Sequence, residues 1–297
     1  MILVLGGGGQ LARELDGLAS ARGVALTAPP RRELDITDTD AVAAAIARTK
    51  PALVINAAAY TAVDRAETEA AVAMAVNAEA PGRVAAQCDA IGIPLLHVST
   101  DYVFAGDKQT PYREDDPVSP LGVYGASKAA GEAAVRAAAA RHLILRTAWV
   151  YGAHGANFLK TMLRLARERD ELRVVADQHG SPTSTRSLAE AMLLIAPRLI
   201  EAAGASASPL WGTYHFCGTG ETSWHGFATE IVRAQARFTG RSPVVTPIST
   251  AEYPTPARRP ANAILDTAKF AATFSHRAPP WQSDMQAAVA EILMEKP

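Results

Sequence analysis

Residues 2–18, ILVLGGGGQLARELDGL, determine the fold that we predict for this chain of 297 residues. The apolar run at 2–5 is typical of a buried strand, and it ends in the four glycines at 6–9. Leu11 and Leu15 then follow at the spacing of one helix face. The stretch therefore predicts a strand, a glycine turn and a helix, which is the first unit of a doubly wound α/β domain.

The same alternation of strands and helices continues through the first half of the chain. Strands are predicted near 25–28, 53–55, 94–98 and 142–145, and helices over 38–48, 69–88 and 124–141. Consecutive parallel strands need right-handed crossovers, and continuous apolar strands suit a sheet covered on both faces. We predict a doubly wound parallel sheet of Rossmann type over residues 1–150. Residues 151–297 are expected to form mainly a smaller substrate-binding lobe, with parts of 185–217 rejoining the sheet through the strand-like segment 213–216.

The overall composition excludes several classes of function. Lysine and arginine total 29 against 30 acidic residues, which leaves no basic excess for binding nucleic acid. No run reaches the roughly 18 apolar residues of a membrane span, and the N-terminus lacks the basic region of a signal peptide. We therefore expect a cytoplasmic protein with neither a nucleic-acid nor a membrane partner. Cys88 and Cys217 lie too far apart to indicate a disulfide framework or a thiolate metal site.

The glycine turn also predicts a dinucleotide site. Residues 6–12, GGGGQLA, satisfy the pattern Gly-x-x-Gly-x-x-Ala directly after the first strand. In such a turn the backbone can approach a pyrophosphate, and the N–H groups of the helix face the anion. The second strand is followed by Arg31 and Arg32, with no carboxylate at the strand end for the ribose 2′-OH of NAD. NADPH is therefore predicted over NADH, which stays open as a second cofactor; the alternative is that both arginines are solvated loop charges.

Tyr124 and Lys128 are four residues apart, so they lie on one face of the predicted helix. An adjacent ammonium favours the phenolate, and we expect it to lower the pKa of the tyrosine from about 10 toward neutrality. Ser99 and Thr100 end the fourth strand, at the sheet edge where ligands of such sheets bind. The Thr100 hydroxyl and the phenol are therefore expected to converge on one substrate oxygen. The simpler alternative is a surface tyrosine and lysine on an amphipathic helix.

Further segments occur in a fixed order along the chain. They are NAAAYTAVD at 56–64, STDYVF at 99–104, YGASK at 124–128, RTAWVY at 146–151, DQHGSPT at 177–183 and YPTPARRP at 253–260. Together with the glycine turn they resemble the extended short-chain dehydrogenases/reductases, and within them the dTDP-4-dehydrorhamnose reductase family. The resemblance implies reduction of the 4-keto group of dTDP-4-dehydro-β-L-rhamnose (dTDP-6-deoxy-L-lyxo-4-hexulose) to dTDP-L-rhamnose, the last step of dTDP-rhamnose biosynthesis.

The resemblance also implies roles for single residues. Tyr124 would donate a proton to the alkoxide at C4, Lys128 would hold the nicotinamide ribose, and Thr100 would hydrogen-bond the carbonyl oxygen. The cofactor contacts would be Gly6, Gly9, Gln10, Leu11, Arg31, Arg32, Asp35, Ile36, Ala57, Ala58, Ala59, Tyr124 and Lys128. The substrate contacts would be Thr61, Val63, Tyr102, Trp149, Asn157 and Arg259. Of these, Arg259 would meet the pyrophosphate of the sugar nucleotide.

The oligomeric state and some neighbouring functions stay open. Glu14 matches one glutamate of the magnesium site through which some family members dimerise, but the other glutamates have no match. No metal is therefore predicted, and both a monomer and a homodimer remain open. One alternative function is another nucleotide-sugar epimerase, dehydratase or 4-keto reductase, although Asp101-Tyr102 replaces the Asp-Glu pair of dehydratases. A second is a non-catalytic regulatory subunit like that of methionine adenosyltransferase.

Overall fold

The computed structural model describes residues 1–294, and its elements alternate along the chain. The strands are Ile2–Leu5 (β1), Leu26–Thr27 (β2), Leu53–Asn56 (β3), Leu95–Thr100 (β4), His142–Thr147 (β5), Val150–Tyr151 (β6), Glu171–Val175 (β7), His179–Gly180 (β8), Thr183–Ser184 (β9), Gly212–His215 (β10), Thr222–Ser223 (β11) and Val244–Ile248 (β12). The α-helices are Gln10–Ala21 (α1), Thr39–Thr49 (α2), Val63–Ala66 (α3), Ala70–Met74 (α4), Ala80–Ala90 (α5), Val123–Ala138 (α6), Phe158–Glu168 (α7), Thr185–Glu201 (α8), Trp224–Thr239 (α9), Ala268–Phe274 (α10) and Trp281–Met294 (α11). A π-helical segment, Ala75–Glu79, joins α4 to α5. No helix within residues 1–294 combines the length and the hydropathy needed to cross a membrane.

The central sheet has six parallel strands in the order β10-β5-β4-β3-β1-β2. The chain runs outward from β1 to β2 and then crosses back to β3 on the other side of β1. Such a reversal opens a crevice at the carboxyl ends of the strands, where ligands bind in sheets of this type. The prediction of a doubly wound parallel sheet is confirmed. The strand-like segment predicted at 213–216 also pairs with β5, as Gly212–His215.

Helices cover both faces of the sheet, which explains the continuous apolar strands. Ile2 and Val4 of β1 share one core with α1 and α8, whereas Leu3 and Leu5 share the other with α2, α5 and α6. Successive strand residues point to opposite faces, so all four positions of β1 are buried. The glycine turn that follows β1 is therefore held at the sheet edge by packing on both sides.

A further core lies in the second half of the chain. It joins α7, β7, α9 and α11 through residues such as Leu159, Leu172, Phe227 and Met285. Meanwhile α8 and β10, which also belong to the second half of the chain, pack with the first core. The boundary near residue 150 therefore stays a prediction, and residues 295–297 of the predicted lobe lie outside the described part of the chain.

Two predicted helices differ from the observed ones. The helix predicted over 69–88 contains the π-helical turn, whose Asn77 is buried and hydrogen-bonded to the backbone of Tyr60 and to Ser127. The wider turn presents the Asn77 side chain to these partners, and alanine-rich periodicity gives no sign of it. The helix predicted over 124–141 ends at Ala138, because the chain turns there to enter β5.

Candidate active site

A cleft of about 750 Å³ follows the carboxyl ends of the central strands and reaches the second lobe. Most of the predicted site residues line it. They are Gly6, Gly9, Gln10, Leu11, Arg31, Asp35, Ile36, Ala57, Ala58, Ala59, Thr61, Val63, Thr100, Tyr102, Tyr124, Lys128 and Trp149. The structure therefore brings segments that are spread between residues 6 and 149 together on one surface. The remaining predicted residues, Arg32, Asn157 and Arg259, lie outside this lining.

The glycine turn forms one end of the cleft and fits an anionic group. Gly6 has a φ of +93°, and a Cβ there would lie 2.8 Å from the Cα of Ala58, so only glycine allows this close approach. Within α1 (Gln10–Ala21) the first turn carries no acidic side chain, and Gly9 before it supplies no side-chain cap. The N–H groups and the positive end of the helix dipole are therefore available to a pyrophosphate.

The two predicted arginines lie differently at the edge of the cleft. Arg31 lines it, and its Nε donates a hydrogen bond to Asp35 Oδ2 at 2.9 Å. The backbone N–H of Thr37 donates to Asp35 Oδ1 and holds the pKa of that carboxyl below its usual value. Arg32 instead pairs with Glu33 at 3.3 Å. Asp35 thus orients Arg31 at the edge of the cleft. A contact of either arginine with a cofactor phosphate stays a prediction.

Helix α6 carries Tyr124 and Lys128 into the cleft because it packs closely on the π-helical segment. A Cβ at Gly131 would lie 2.0 Å from the carbonyl oxygen of Asn77, so glycine is needed for this packing distance. At the start of α6, the backbone N–H of Val123 donates to Glu67 Oε1 at 2.9 Å. These contacts fix the height and rotation of the helix, so its first turns face the ends of β3 and β4.

The protonation states of Tyr124 and Lys128 differ from the simple expectation. Burial raises the pKa of Tyr124 to about 12, and a hydrogen bond with Thr100 opposes this only in part. Lys128 Nζ donates to the carbonyl oxygen of Val98 at 2.7 Å, and burial lowers its pKa to about 8 against the influence of Glu132. The prediction that Lys128 lowers the tyrosine pKa is therefore wrong in this structure. The reason is that loss of solvent around the phenol disfavours its ionised form, so the phenol keeps its proton at neutral pH.

Thr100 is held by its neighbours at the end of β4. Its Oγ1 donates to Asp101 Oδ1 at 2.8 Å and accepts a hydrogen bond from the backbone N–H of Tyr102 at 3.2 Å. The Tyr102 ring meets the Tyr124 ring edge-on, with centroids 5.4 Å apart. Asp101 also lines the cleft and was missed as a site residue, although its place directly after a buried strand is a usable signal.

A buried ion pair lies directly behind these groups. Arg146 Nε and Nη2 donate to the two carboxylate oxygens of Glu132 at 2.8 and 2.7 Å, and both side chains are at most 1% exposed. Burial acts to raise the pKa of Glu132, but the Arg146 guanidinium outweighs it and the pKa is lowered. Glu132 is one helical turn beyond Lys128, so the pair supports the same face of α6.

Two tryptophans form the wall of the cleft on the side of the second lobe. The Trp149 ring stacks on Trp224, with centroids 3.6 Å apart and planes 8° from parallel. Trp149 has a φ of +47°, which is uncommon for a residue other than glycine. Trp224 and Phe158 also line the cleft, but the sequence did not predict them. They begin α9 and α7, and no sequence pattern indicates that these helices pack against the sheet edge.

Asn157 and Arg259 make other contacts in the structure. The Asn157 side chain caps α7 by accepting from the Lys160 N–H, and its amide donates to Gly152 O and Gln10 Oε1. Arg259 Nη1 and Nη2 donate to Asp64 at 3.1 and 2.9 Å. The guanidinium also donates to the Thr255 hydroxyl and to the Ala257 carbonyl oxygen. A role for Asn157 or Arg259 in substrate binding stays a prediction.

Glu14, which matches one glutamate of the family's magnesium site, has a hydrogen-bond partner within the chain. Glu14 is buried in α1, and its Oε2 accepts a hydrogen bond from Thr185 Oγ1 at 3.3 Å. Among residues 1–294, no group of three or more histidine, cysteine, aspartate and glutamate side chains is arranged to hold a metal ion.

The chain is similar to known proteins over its full described length. The family model described as RmlD substrate binding domain matches residues 1–294. A dTDP-4-dehydrorhamnose reductase of Sinorhizobium fredii is 44% identical over 294 residues, which cover 99% of this chain and 98% of that protein. A solved dTDP-4-dehydrorhamnose reductase of Clostridium acetobutylicum superposes with a TM-score of 0.89 at 37% identity, covering 98% of this chain and 99% of that one. The Bacillus anthracis enzyme of the same name, solved in complex with NADP, has a TM-score of 0.88 at 35% identity, with 98% of each chain covered.

Proposed function

The chain belongs to the dTDP-4-dehydrorhamnose reductase family, and we propose that it reduces dTDP-4-dehydro-β-L-rhamnose to dTDP-L-rhamnose with NADPH. The observation that carries the proposal is the joint placement of Thr100, Tyr124 and Lys128 in a cleft that begins at the glycine turn. The NADP complex of the Bacillus anthracis relative supports the choice of cofactor. The unshielded N-terminus of α1 and the exposed guanidinium of Arg31 suit the pyrophosphate and the 2′-phosphate of NADPH.

The residues of the chain bind, orient and protonate the substrate. NADPH, when bound, supplies the hydride that reduces the C4 carbonyl. Tyr124 donates its phenolic proton to the oxygen at C4, and its raised pKa keeps that proton available at neutral pH. Thr100 hydrogen-bonds the same oxygen while negative charge develops on it. Lys128, cationic below its pKa of about 8, holds the nicotinamide ribose.

We assign the two lobes to the two ligands. Residues 1–150, with parts of 185–217, bind NADPH, and residues 151–297 mainly bind the sugar nucleotide. Thr61, Val63, Tyr102 and Trp149 line the cleft and are proposed to contact the sugar. Asn157 and Arg259 are proposed for the nucleotide end and would have to exchange their present partners. We propose a cytoplasmic enzyme that acts as a monomer or a homodimer.

The function is tested by following the loss of NADPH absorbance with dTDP-4-keto-6-deoxyglucose, with and without the 3,5-epimerase that supplies the L-lyxo sugar. Turnover only with the epimerase is expected, because the proposed substrate is its product. Turnover without it would indicate a reductase of the D-sugar. Binding of NADPH without turnover in either mixture would overturn the proposed function and favour a dehydratase, an epimerase or a regulatory subunit.

We expect Arg31→Ala to raise the KM for NADPH and to leave the KM for NADH nearly unchanged. A charged hydrogen bond contributes about 1.5 to 3 kcal/mol, so the KM should rise roughly 10- to 150-fold. Initial rates with both cofactors measure the effect. Arg32→Ala is the matched control, because Arg32 pairs with Glu33 outside the cleft and should change neither KM by a comparable factor. Equal losses with NADH and NADPH in Arg31→Ala would contradict a 2′-phosphate contact.

A further inference from the structure

Asp101 lines the cleft, and its buried carboxyl group has an incomplete set of hydrogen-bond partners. Asp101 is only 2% exposed, and its Oδ1 is 2.8 Å from Thr100 Oγ1. Oδ2 is buried and has no hydrogen-bond partner among residues 1–294. A buried carboxylate normally has its oxygens satisfied, so this group is costly to keep ionised.

The Thr100 hydroxyl can donate one hydrogen bond, and the protonation state of Asp101 determines which acceptor receives it. While Asp101 is ionised, both of its oxygens can only accept, so the Thr100 proton must lie on the hydrogen bond to Oδ1. Thr100 already accepts from the N–H of Tyr102. In this state its remaining lone pair can only accept from the cleft, and it offers no donor to a carbonyl oxygen.

Protonation of Asp101 reverses this hydrogen bond. A proton on Oδ2 would be a buried donor without an acceptor, whereas a proton on Oδ1 can be donated to Thr100 Oγ1. The Thr100 hydroxyl proton is then free to turn toward the cleft. Asp101 and Thr100 both keep their protons overall, so the reaction still consumes only the hydride and the proton of Tyr124.

From this geometry we propose that Asp101 is a positioning residue whose neutral form enables Thr100 to donate a hydrogen bond to the carbonyl oxygen of the substrate. The role rests on the proposed 4-keto reduction. In the closed state Asp101 is ionised, and the Thr100 hydroxyl donates its proton to the carboxylate. In the open state Asp101 is protonated, and the Thr100 hydroxyl can donate to the substrate.

The surroundings of Asp101 favour its neutral form below about pH 7. Burial raises its pKa to about 7, opposed by hydrogen bonds from Thr100 and from the backbone at 101 and 102. The titratable side chains that face it are Tyr102, Tyr124 and Cys217, and all three are themselves held protonated by raised pKa values. A group with a raised pKa stays neutral below that pKa, so the open state is lost as pH rises through about 7.

The test is the pH profile of kcat for the whole enzyme. In the wild type, kcat should decline as Asp101 ionises near pH 7 and again as Lys128 loses its proton near pH 8. Asp101→Asn keeps an uncharged donor to Thr100, so its kcat should decline only with Lys128, and the midpoint should move up by about one pH unit. Asp107 lies outside the cleft lining, and its Oδ1 accepts a hydrogen bond from the Tyr112 hydroxyl at 3.0 Å. Asp107→Asn therefore makes the same chemical change outside the cleft and should keep the wild-type midpoint. An unchanged midpoint in Asp101→Asn would overturn the proposal.

An infrared titration of the NADPH-free protein gives a readout besides activity. The carbonyl band of a protonated carboxylic acid should disappear as pH rises through about 7, and it should be missing in Asp101→Asn but present in Asp107→Asn. If the enzyme turns over the nucleotide sugar but the wild type lacks this band, the role of Asp101 is refuted and the proposed function stands. If the band is present but the enzyme does not turn over the sugar, the proposed function is refuted, and the role of Asp101 with it.

Discussion

Tyr124→Phe should lower kcat by about 10²- to 10⁴-fold while NADPH still binds with nearly wild-type affinity. The substitution removes the phenolic proton but keeps the ring that packs against Tyr102. Because burial raises the pKa of Tyr124 to about 12, the phenol is protonated at neutral pH and is the group that can donate the proton. Steady-state kinetics with the L-lyxo sugar and NADPH fluorescence measure the two quantities.

Tyr214→Phe is the matched control for this prediction. Tyr214 is buried in the core of the sheet beside Phe270 and Phe274, and its hydroxyl donates to the carbonyl oxygen of Pro209. Loss of that hydroxyl removes one neutral hydrogen bond far from the cleft lining, so kcat should stay near the wild-type value. Turnover of Tyr124→Phe within a few-fold of Tyr214→Phe would remove Tyr124 from the role of proton donor.

Arg146→Met should lower the free energy of unfolding by about 3 kcal/mol or more, since removing one partner of a buried pair leaves the other charge uncompensated. Glu132 would keep Arg136 as a partner, but that guanidinium is 39% exposed and holds only one carboxylate oxygen. Denaturant unfolding of the protein, monitored without cofactor, measures the change. The double variant Glu132→Leu with Arg146→Met should regain most of the lost stability, because no unpaired buried charge remains.

Arg173→Met separates burial from the mere presence of an ion pair. Arg173 and Glu252 form a pair at 3.1 Å whose side chains are both more than half exposed. An exposed pair contributes about 0 to 1 kcal/mol, so this variant should unfold almost like the wild type. If Arg146→Met cost no more than Arg173→Met, the buried pair behind the cleft would not be a stabilising element.

The sequence was sufficient where function depends on local pattern. The strand at 2–5, the glycine turn and the helix after it follow from periodicity and from the geometry that glycine permits. The spacing of Tyr124 and Lys128 places them on one helix face for the same reason. The parallel arrangement of the strands followed from their alternation with helices, whereas the strand order was read from the structure. These features involve residues close together in the chain, so their physical causes are contained in short segments.

The partners of individual side chains were beyond the sequence, whether those partners lie close by or far away along the chain. Arg31 and Arg32 are neighbours with the same side chain, yet Asp35 directs one into the cleft and Glu33 holds the other outside it. Trp224 reaches Trp149 only because the second lobe folds against the sheet edge. No periodicity records which of two adjacent side chains meets a ligand, since the choice depends on partners supplied by the folded chain.

The sequence by itself determined the sheet, the glycine turn and the identity of the groups that surround the carbonyl site. Only the tertiary structure decided their protonation. A lysine four residues from Tyr124 predicts a lowered tyrosine pKa, but burial of the phenol raises it to about 12. Burial likewise raises the pKa of Asp101 to about 7. The physical reason is that the cost of an ionised group depends on how much water remains around it, and that is set by every segment packed against it.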